Sequence, residues 1–135
     1  ARAHAGQKDL PAEDARRLMG PEAIIGLSVS NAAELEASRS LAAAGVVDYL
    51  GIGPIESTST KPDAAAPLGL PGFAALAALK PCPVVAIGSV KIHNAAALAA
   101  AGADGIAVVS AICGTADPRA ASEALLAAFR SGLKK

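Results

Sequence analysis

The chain has 135 residues, a typical size for one domain with a buried core, and 53% of them are apolar although only 2% are aromatic. Its twelve basic and twelve acidic side chains cancel, so no strong field would draw nucleic acid or an anionic membrane surface. Since no apolar run approaches the roughly 18 residues of a membrane span, we expect no membrane contact, no signal peptide and a cytoplasmic protein.

Short apolar strands alternate with helices along the chain. We predict strands over 23–27, 48–52, 83–87 and 105–109, and helices over 11–19, 31–44, 71–80, 93–102 and 117–130. Residues 3–6 look like the end of a further strand. Asn31 and Asp117 are predicted N-caps, and Asp9 is a candidate N-cap for the first helix. Continuous Val, Ile and Ala strands between helices favour a parallel sheet covered by helices.

Two segments of the chain resemble each other. In 43–48 and in 100–104, alanines and a glycine close a helix, and an aspartate then precedes a strand. A repeated strand–helix unit is typical of a (βα)8 barrel, and a doubly wound sheet supplies it too.

The strand that ends near Gly53-Pro54 runs into an unusual loop. It contains four consecutive hydroxyl residues and a lysine, namely Ser57, Thr58, Ser59, Thr60 and Lys61. Hydroxyls, free backbone N–H groups and one cation suit a phosphate or a diphosphate. A solvated surface loop explains the same composition equally well, because loops of this kind are common.

Small or hydroxyl residues follow the apolar part of four predicted strands. These residues are Ser28, Gly53, Gly88, Ser89 and Ser110. In a parallel α/β fold such strand ends lie on one face, where ligands bind. Tight turns explain any one of these positions better than a ligand does. The series of four, beside Lys61, favours a phosphate site.

The chain offers no convincing nucleophile. Neither Cys82 nor Cys113 has a histidine beside it, and we expect both to be reduced and buried. His4 lies near the start of the chain, and His93 is explained by the entry into a helix. Sequence motifs for a nucleophile elbow, a zinc protease or a nucleotide loop are absent. These residues favour anion binding, metal and leaving-group stabilisation over covalent catalysis.

Several segments together resemble the C-terminal half of the thiamine phosphate synthase family. They are Gly6-Gln7-Lys8-Asp9, Gly26-Leu27-Ser28, Gly51-Ile52-Gly53-Pro54-Ile55, Thr58-Ser59-Thr60-Lys61, Val-Val-Ala-Ile-Gly at 84–88, Ala-Gly-Ala-Asp-Gly at 101–105 and Val-Ser-Ala-Ile at 109–112. The resemblance implies an α/β (βα)8 TIM barrel of which this chain covers roughly the second half. Residues 1–135 would then be the C-terminal part of a single barrel domain.

The resemblance also implies an activity. The family is a Mg2+-dependent transferase that joins hydroxymethylpyrimidine diphosphate to a thiazole phosphate and releases diphosphate. The expected partners are therefore small phosphorylated pyrimidine and thiazole substrates, and a homo-oligomer is left open.

Site residues carry over from the family by matched position. Asp9 would bind Mg2+, Ser28 and Lys61 would contact the pyrimidine diphosphate, and Lys61 would be the catalytic residue. The thiazole phosphate would be held by Thr58, Ser59, Thr60, Val109 and Ser110. Gly88 and Ser89 stand where the family has Gly-Gly, so a backbone N–H there could still bind phosphate although a side chain intrudes.

Two further departures from the family pattern bear on the activity. The family's first strands and its Asn-Asp metal site do not occur in these 135 residues. Ser30-Asn31 replaces the usual His-Thr, whose histidine a related thiazole tautomerase requires, and this argues against a tautomerase. A tautomerase-like isomerase and a non-catalytic phosphate-binding half-barrel remain the alternatives.

Overall fold

The computed structural model describes residues 1–57 and 65–133, and five parallel strands form one sheet in chain order. The strands are β1 (Arg2–Ala5), β2 (Ile24–Val29), β3 (Tyr49–Ile52), β4 (Val84–Ile87) and β5 (Gly105–Ala107). The helices are α1 (Ala12–Met19), α2 (Ala32–Ala43), α3 (Gly69–Ala77), α4 (Ile92–Ala100) and α5 (Pro118–Gly132). The predicted α/β class with a parallel sheet is confirmed. In the described ranges, none of the helices has the length and apolar character needed to cross a bilayer.

The core lies between one face of the sheet and the helices. Leu50, Ile52 and Val84 have no exposed surface, and they belong to one cluster with Phe73 of α3 and Phe129 of α5. Apart from the chain's two phenylalanines, this cluster consists of alanine, valine, leucine and isoleucine. The side chains on the opposite face of the sheet are more open, and Ile24 and Ile87 are 42% and 36% exposed there.

Two of the predicted N-caps are confirmed. The Asn31 side chain accepts a hydrogen bond from the Glu34 N–H at 2.9 Å at the start of α2. The Asp117 side chain accepts one from the Ala120 N–H at 3.0 Å at the start of α5, where Pro118 fits the first turn. Local chemistry that the sequence shows directly therefore sets both helix starts.

Several element boundaries differ from the prediction, and hydrogen bonds account for two of them, one with a distant segment and one within a local turn. α3 begins at Gly69, since the N–H groups of Leu68 and Gly69 donate to Pro54 and Ile55 carbonyls at 2.8 and 2.9 Å. β5 stops at Ala107, and a hydrogen-bonded turn in which the Cys113 N–H donates to Val109 O at 2.7 Å follows it.

The structure corrects two predictions about single residues. Asp9 is not the N-cap of α1, because Pro11 takes that position and Asp9 Oδ2 accepts the Gly6 N–H at 2.6 Å instead. The prediction that both cysteines are buried is also wrong. Cys82 is half-buried, and Cys113 is exposed on the turn after β5.

The sequence repeat corresponds to a repeated contact at the amino ends of the strands. Asp48 Oδ2 accepts the Ile25 N–H at 2.8 Å and an Arg16 guanidinium N–H at 2.7 Å. The Ile25 N–H bond, aided by Arg16, lowers the pKa of Asp48.

Asp104 repeats this arrangement one pair of strands further on. Its Oδ2 accepts the Val84 N–H at 2.8 Å and Lys80 Nζ at 2.7 Å. Partial burial works to raise the pKa of Asp104, but the bonds from Lys80 and Val84 outweigh it, so this pKa is lowered. Each aspartate therefore ties the start of its strand to the neighbouring strand and to a basic residue of an earlier helix or the turn after it.

Candidate functional site

The carboxyl ends of the parallel strands lie along one edge of the sheet and carry the predicted site residues. Asp9 follows β1, Ser28 is the second-last residue of β2, and Ser57 follows β3. Gly88 comes directly after β4, and Ser110 follows β5. This edge is where parallel α/β folds bind ligands.

The loops after β3 and β4 are tied together at Gly88. Its carbonyl oxygen accepts the N–H groups of Ile55 at 2.9 Å and Glu56 at 3.3 Å. Gly88 has a φ of 88°, and a Cβ there would lie 2.5 Å from Pro54 Cα. Only glycine fits this position, because it needs both the left-handed backbone and the close approach.

Ser89 does not point its side chain into a ligand position. Its backbone is in the left-handed region with a φ of 62°, and its Oγ donates to the Ser57 carbonyl at 2.7 Å. Within the described ranges, the backbone N–H groups of Ser89 and Ser110 have no protein acceptor. Both groups are therefore available for an anion at adjacent strand ends.

A lysine that sequence reasoning missed lies at the end of β5. Lys91 precedes α4, and its Nζ donates to Ser110 Oγ at 2.5 Å. The Lys91 N–H is held by Asn94 Oδ1 at 2.9 Å. The two residues are 19 positions apart, so the only signal in the sequence was that each follows one of two successive strands.

A second contact that was not predicted ties the β3 loop to α4. Glu56 Oε1 lies 2.8 Å from His93 Nε2 and accepts Asn94 Nδ2 at 3.3 Å. The hydrogen bond with His93 is the main reason why the pKa of Glu56 is lowered, and Asn94 and Lys91 add to it. His93 therefore does more than begin a helix, since it helps to place the loop that leads to Thr58.

His4 forms the third missed feature, across β1, β2 and β3. Its Nε2 lies 2.9 Å from Ser28 Oγ, and its Nδ1 lies 3.0 Å from the Tyr49 hydroxyl. Partial enclosure of the ring lowers the pKa of His4, and the charge of Asp9 opposes this shift. Strand alternation could have indicated the group, because His4, Ser28 and Tyr49 fall on the same face of the sheet.

An open cavity of about 240 Å3 lies on this face. It is lined by His4, Tyr49, Gly51, Val85, Ile87 and Ala107. Such an apolar floor with a few polar groups at its margin is typical of small-molecule sites.

Asp9 lies in a smaller cleft beside the same edge, with Gln7 and Glu13. The Gln7 side chain donates to the Ser28 carbonyl at 2.6 Å, which links this cleft to β2. Across the parts of the chain that the structure describes, no group of three or more His, Cys, Asp or Glu residues could hold a metal. Asp9 can thus offer one carboxylate ligand and no complete metal site.

The structure brings Gly88, Ser89, Val109 and Ser110 to neighbouring strand ends and places Ser28 and Asp9 further along the same edge. Thr58, Ser59, Thr60 and Lys61 lie outside the described residues. Their roles, and the binding roles of the other site residues, stay predictions.

These observations define an α/β protein with a parallel sheet and a candidate ligand site at the carboxyl ends of its strands. The sequence model for the thiamine monophosphate synthase family matches residues 1–112. The chain belongs to this family, and the resemblance inferred from the motifs is confirmed.

Individual relatives agree with the family match. The chain is 54% identical over 124 residues to a thiamine-phosphate synthase of Laribacter hongkongensis, covering 92% of this chain and 56% of that protein. It is 50% identical over 125 residues to the Chloroflexus aurantiacus synthase, covering 92% and 55%. The solved thiamine phosphate pyrophosphorylase of Pyrococcus furiosus has a TM-score of 0.81 and 34% identity, covering 97% of this chain and 60% of that one. The chain thus spans a little over half the length of the relatives that it matches.

Proposed function

We propose that this chain supplies the second half of a (βα)8 barrel that synthesises thiamine phosphate. The observation that carries the proposal is the family match over residues 1–112. It is supported by the loops after β4 and β5, whose backbone N–H groups at Ser89 and Ser110 could bind a phosphate. The more exposed face of the sheet, with its cavity, would be the inside of the barrel.

The reaction would join hydroxymethylpyrimidine diphosphate to a thiazole phosphate. The bond between the pyrimidine methylene carbon and the diphosphate oxygen breaks, diphosphate leaves, and the thiazole nitrogen forms the new bond to that carbon. Catalysis of this kind depends on holding two anions in place and on stabilising the leaving group.

The thiazole phosphate would bind where the loops after β4 and β5 meet. The free N–H groups of Ser89 and Ser110 support this position. The bond from Ser89 Oγ to the Ser57 carbonyl supports it as well, because it holds Ser57, the residue that precedes Thr58 in the sequence, against the loop after β4. The hydroxyls of residues 58–60 would complete the phosphate site.

The pyrimidine diphosphate would lie towards β2 and β1. Ser28 is held by Gln7 and by His4, so its hydroxyl has a defined position on the open face. Lys61 would neutralise the leaving diphosphate.

Mg2+ would bind through Asp9. Oδ2 of this carboxylate accepts the Gly6 N–H, and Oδ1 would be the atom that binds the ion. One such ligand suits Mg2+, which usually takes one or two protein carboxylates together with phosphate oxygens and water. When bound, Mg2+ would add positive charge next to the leaving diphosphate.

The test is an assay of the natural polypeptide that contains this chain. It is incubated with both substrates and Mg2+, and thiamine phosphate and diphosphate are quantified. Omission of the thiazole phosphate is the control, and interconversion of thiazole isomers without the pyrimidine is measured in parallel. Isomerisation alone would identify a tautomerase, and phosphate binding without any turnover would identify a non-catalytic module.

Lys61→Ala is the sharpest variant for this assay. We expect turnover to fall by orders of magnitude with little change in the denaturation midpoint, because a fixed cation on a leaving anion is worth several kcal/mol. A rate within about twofold of wild type would remove Lys61 from the mechanism, since even a tenfold effect corresponds to only ~1.4 kcal/mol.

A further inference from the structure

Lys91 is placed to act on an anion at the end of β5. Its Nζ already donates to Ser110 Oγ at 2.5 Å, and the Ser110 backbone N–H has no protein acceptor within the described ranges. An ammonium group has three donor hydrogens, so two remain after the bond to Ser110. The contact brings a positive charge to loops that otherwise offer only neutral donors.

Lys91 acts on one carboxylate of the α4 contact only through its charge. The pKa of Glu56 is lowered first by the bond with His93, and the charge of Lys91 is the smallest of the causes that lower it. Glu56 is paired with His93 at 2.8 Å. Within 1–57 and 65–133, no carboxylate lies within 4.0 Å of Lys91 Nζ.

The backbone of Lys91 is fixed separately from its side chain. Asn94 Oδ1 accepts the Lys91 N–H at 2.9 Å, and Asn94 Nδ2 donates to the Ser89 carbonyl at 3.1 Å. The start of α4 is therefore locked to the Gly88-Ser89 loop whatever side chain stands at position 91. The amine can thus be removed without breaking the contacts that hold the Gly88-Ser89 loop.

We propose that Lys91 is a phosphate-binding residue that makes this site select the phosphorylated thiazole over the free alcohol. The inference rests on the proposed function, because it assigns a charge-recognition residue to the second substrate of that reaction. Lys91 Nζ keeps Ser110 Oγ in place and donates to phosphate oxygens, and a charged donor to an anion is stronger than a neutral one.

The experiment compares Lys91→Met with Lys91→Arg in the natural polypeptide that contains this chain. Calorimetric titration measures the Kd of the thiazole phosphate and of the unphosphorylated thiazole alcohol, and steady-state assays give KM and kcat. Arg119→Gln is the matched control, because it also removes one positive charge, from a side chain that is 89% exposed on α5.

We expect Lys91→Met to raise the Kd and the KM of the thiazole phosphate at least tenfold, which is ~1.4 kcal/mol, while the Kd of the alcohol and the denaturation midpoint stay unchanged. Lys91→Arg should keep most of the affinity, and Arg119→Gln should behave as wild type. Equal losses for the phosphate and the alcohol would show a structural role and overturn the proposal.

Two other outcomes separate this inference from the function it rests on. If wild type makes thiamine phosphate and Lys91→Met binds the thiazole phosphate within twofold of wild type, Lys91 is not a ligand but the function stands. If wild type neither binds the thiazole phosphate nor forms product, the proposed function and the role of Lys91 both fail.

Discussion

The imidazole Nε2 of His4 and the hydroxyl oxygen of Ser28 lie 2.9 Å apart across the neighbouring strands β1 and β2. On its other side the same ring reaches the Tyr49 hydroxyl at 3.0 Å. A side chain from β1 thus fixes the hydroxyl that we expect to meet the pyrimidine diphosphate. The protonation state of His4 therefore sets the hydrogen bonds available to Ser28.

This arrangement predicts that stability depends on pH through His4. Partial enclosure lowers its pKa below the usual value of about 6.5, with Asp9 opposing the shift. The unfolded chain therefore binds more protons just below pH 6.5, and stability rises with pH there. The His4 contribution is complete above about pH 6.5 and is lost as pH falls towards the folded-state pKa. Urea denaturation between pH 5 and 8 measures it.

Substitution of each histidine in turn assigns this dependence. His4→Gln should flatten the profile below pH 6.5, and His93→Gln shows how much of the profile the other histidine contributes. An identical slope in wild type and His4→Gln would show that His4 does not titrate differently in the two states.

Gly26 and Gly105 lie on the same open face of the sheet and should respond differently to alanine. A Cβ at Gly26 would lie 2.1 Å from Tyr49 Cζ, so the ring must leave its place beside His4. We expect Gly26→Ala to cost about 1–3 kcal/mol as an overpacking change. The Cβ of Gly105→Ala would lie 3.7 Å from Val85 Cγ2, an ordinary contact, and its effect should stay within about 0.5 kcal/mol.

Denaturation midpoints measure both glycine variants. Tyr49 is the only tyrosine of these 135 residues, which contain no tryptophan, so tyrosine fluorescence of the chain reports on the same ring. Gly26→Ala should change this signal and Gly105→Ala should not. Equal stabilities of the two variants would contradict the predicted crowding at Tyr49.

Much of the fold was predictable because its signals are local in the sequence. The apolar strands, the caps at Asn31 and Asp117 and the break at Gly88-Ser89 each act over a few residues, and the structure has all of them. The boundary of α3 was missed because hydrogen bonds to Pro54 and Ile55, across the 58–64 segment, determine it.

The candidate site was predictable as a line of strand ends but not as a set of contacts. Alternation along β1 and β2 would have placed His4 and Ser28 on one face, yet their pairing depends on the strand register. The bond between Lys91 and Ser110 depends on how the turns after β4 and β5 fold. Such contacts join residues that have no fixed spacing in the sequence.

The Asp48 contact with Ile25 predicts a loss of stability on substitution. Asp48→Ala removes the acceptor of the N–H of Ile25, a fully buried residue of β2, and leaves the mostly buried Arg16 without its carboxylate. We expect a cost of about 1–3 kcal/mol by urea denaturation. Glu123→Ala breaks the exposed pair with Arg119 and should cost less than about 1 kcal/mol. Equal costs would show that the Asp48 contact adds no more than a surface ion pair.

The last prediction separates the two roles open to Asp9. Its side chain holds the Gly6 N–H at 2.6 Å, and an asparagine oxygen can accept the same bond. Asp9→Asn should therefore keep the denaturation midpoint close to that of wild type. It removes the negative charge that a Mg2+ ligand supplies, so the Mg2+ concentration for half-maximal turnover should rise severalfold or more.

A Mg2+ titration of turnover in the natural polypeptide measures this shift for Asp9. Glu13→Gln is the control, because Glu13 lines the same cleft and has no role assigned in the proposed reaction. If the Mg2+ titration and the stability of Asp9→Asn are both unchanged, the only role left for Asp9 is its hydrogen bond to Gly6, and the metal binds elsewhere. A lower midpoint together with an unchanged Mg2+ requirement would make Asp9 purely structural, since the carboxylate would then stabilise the turn through its charge.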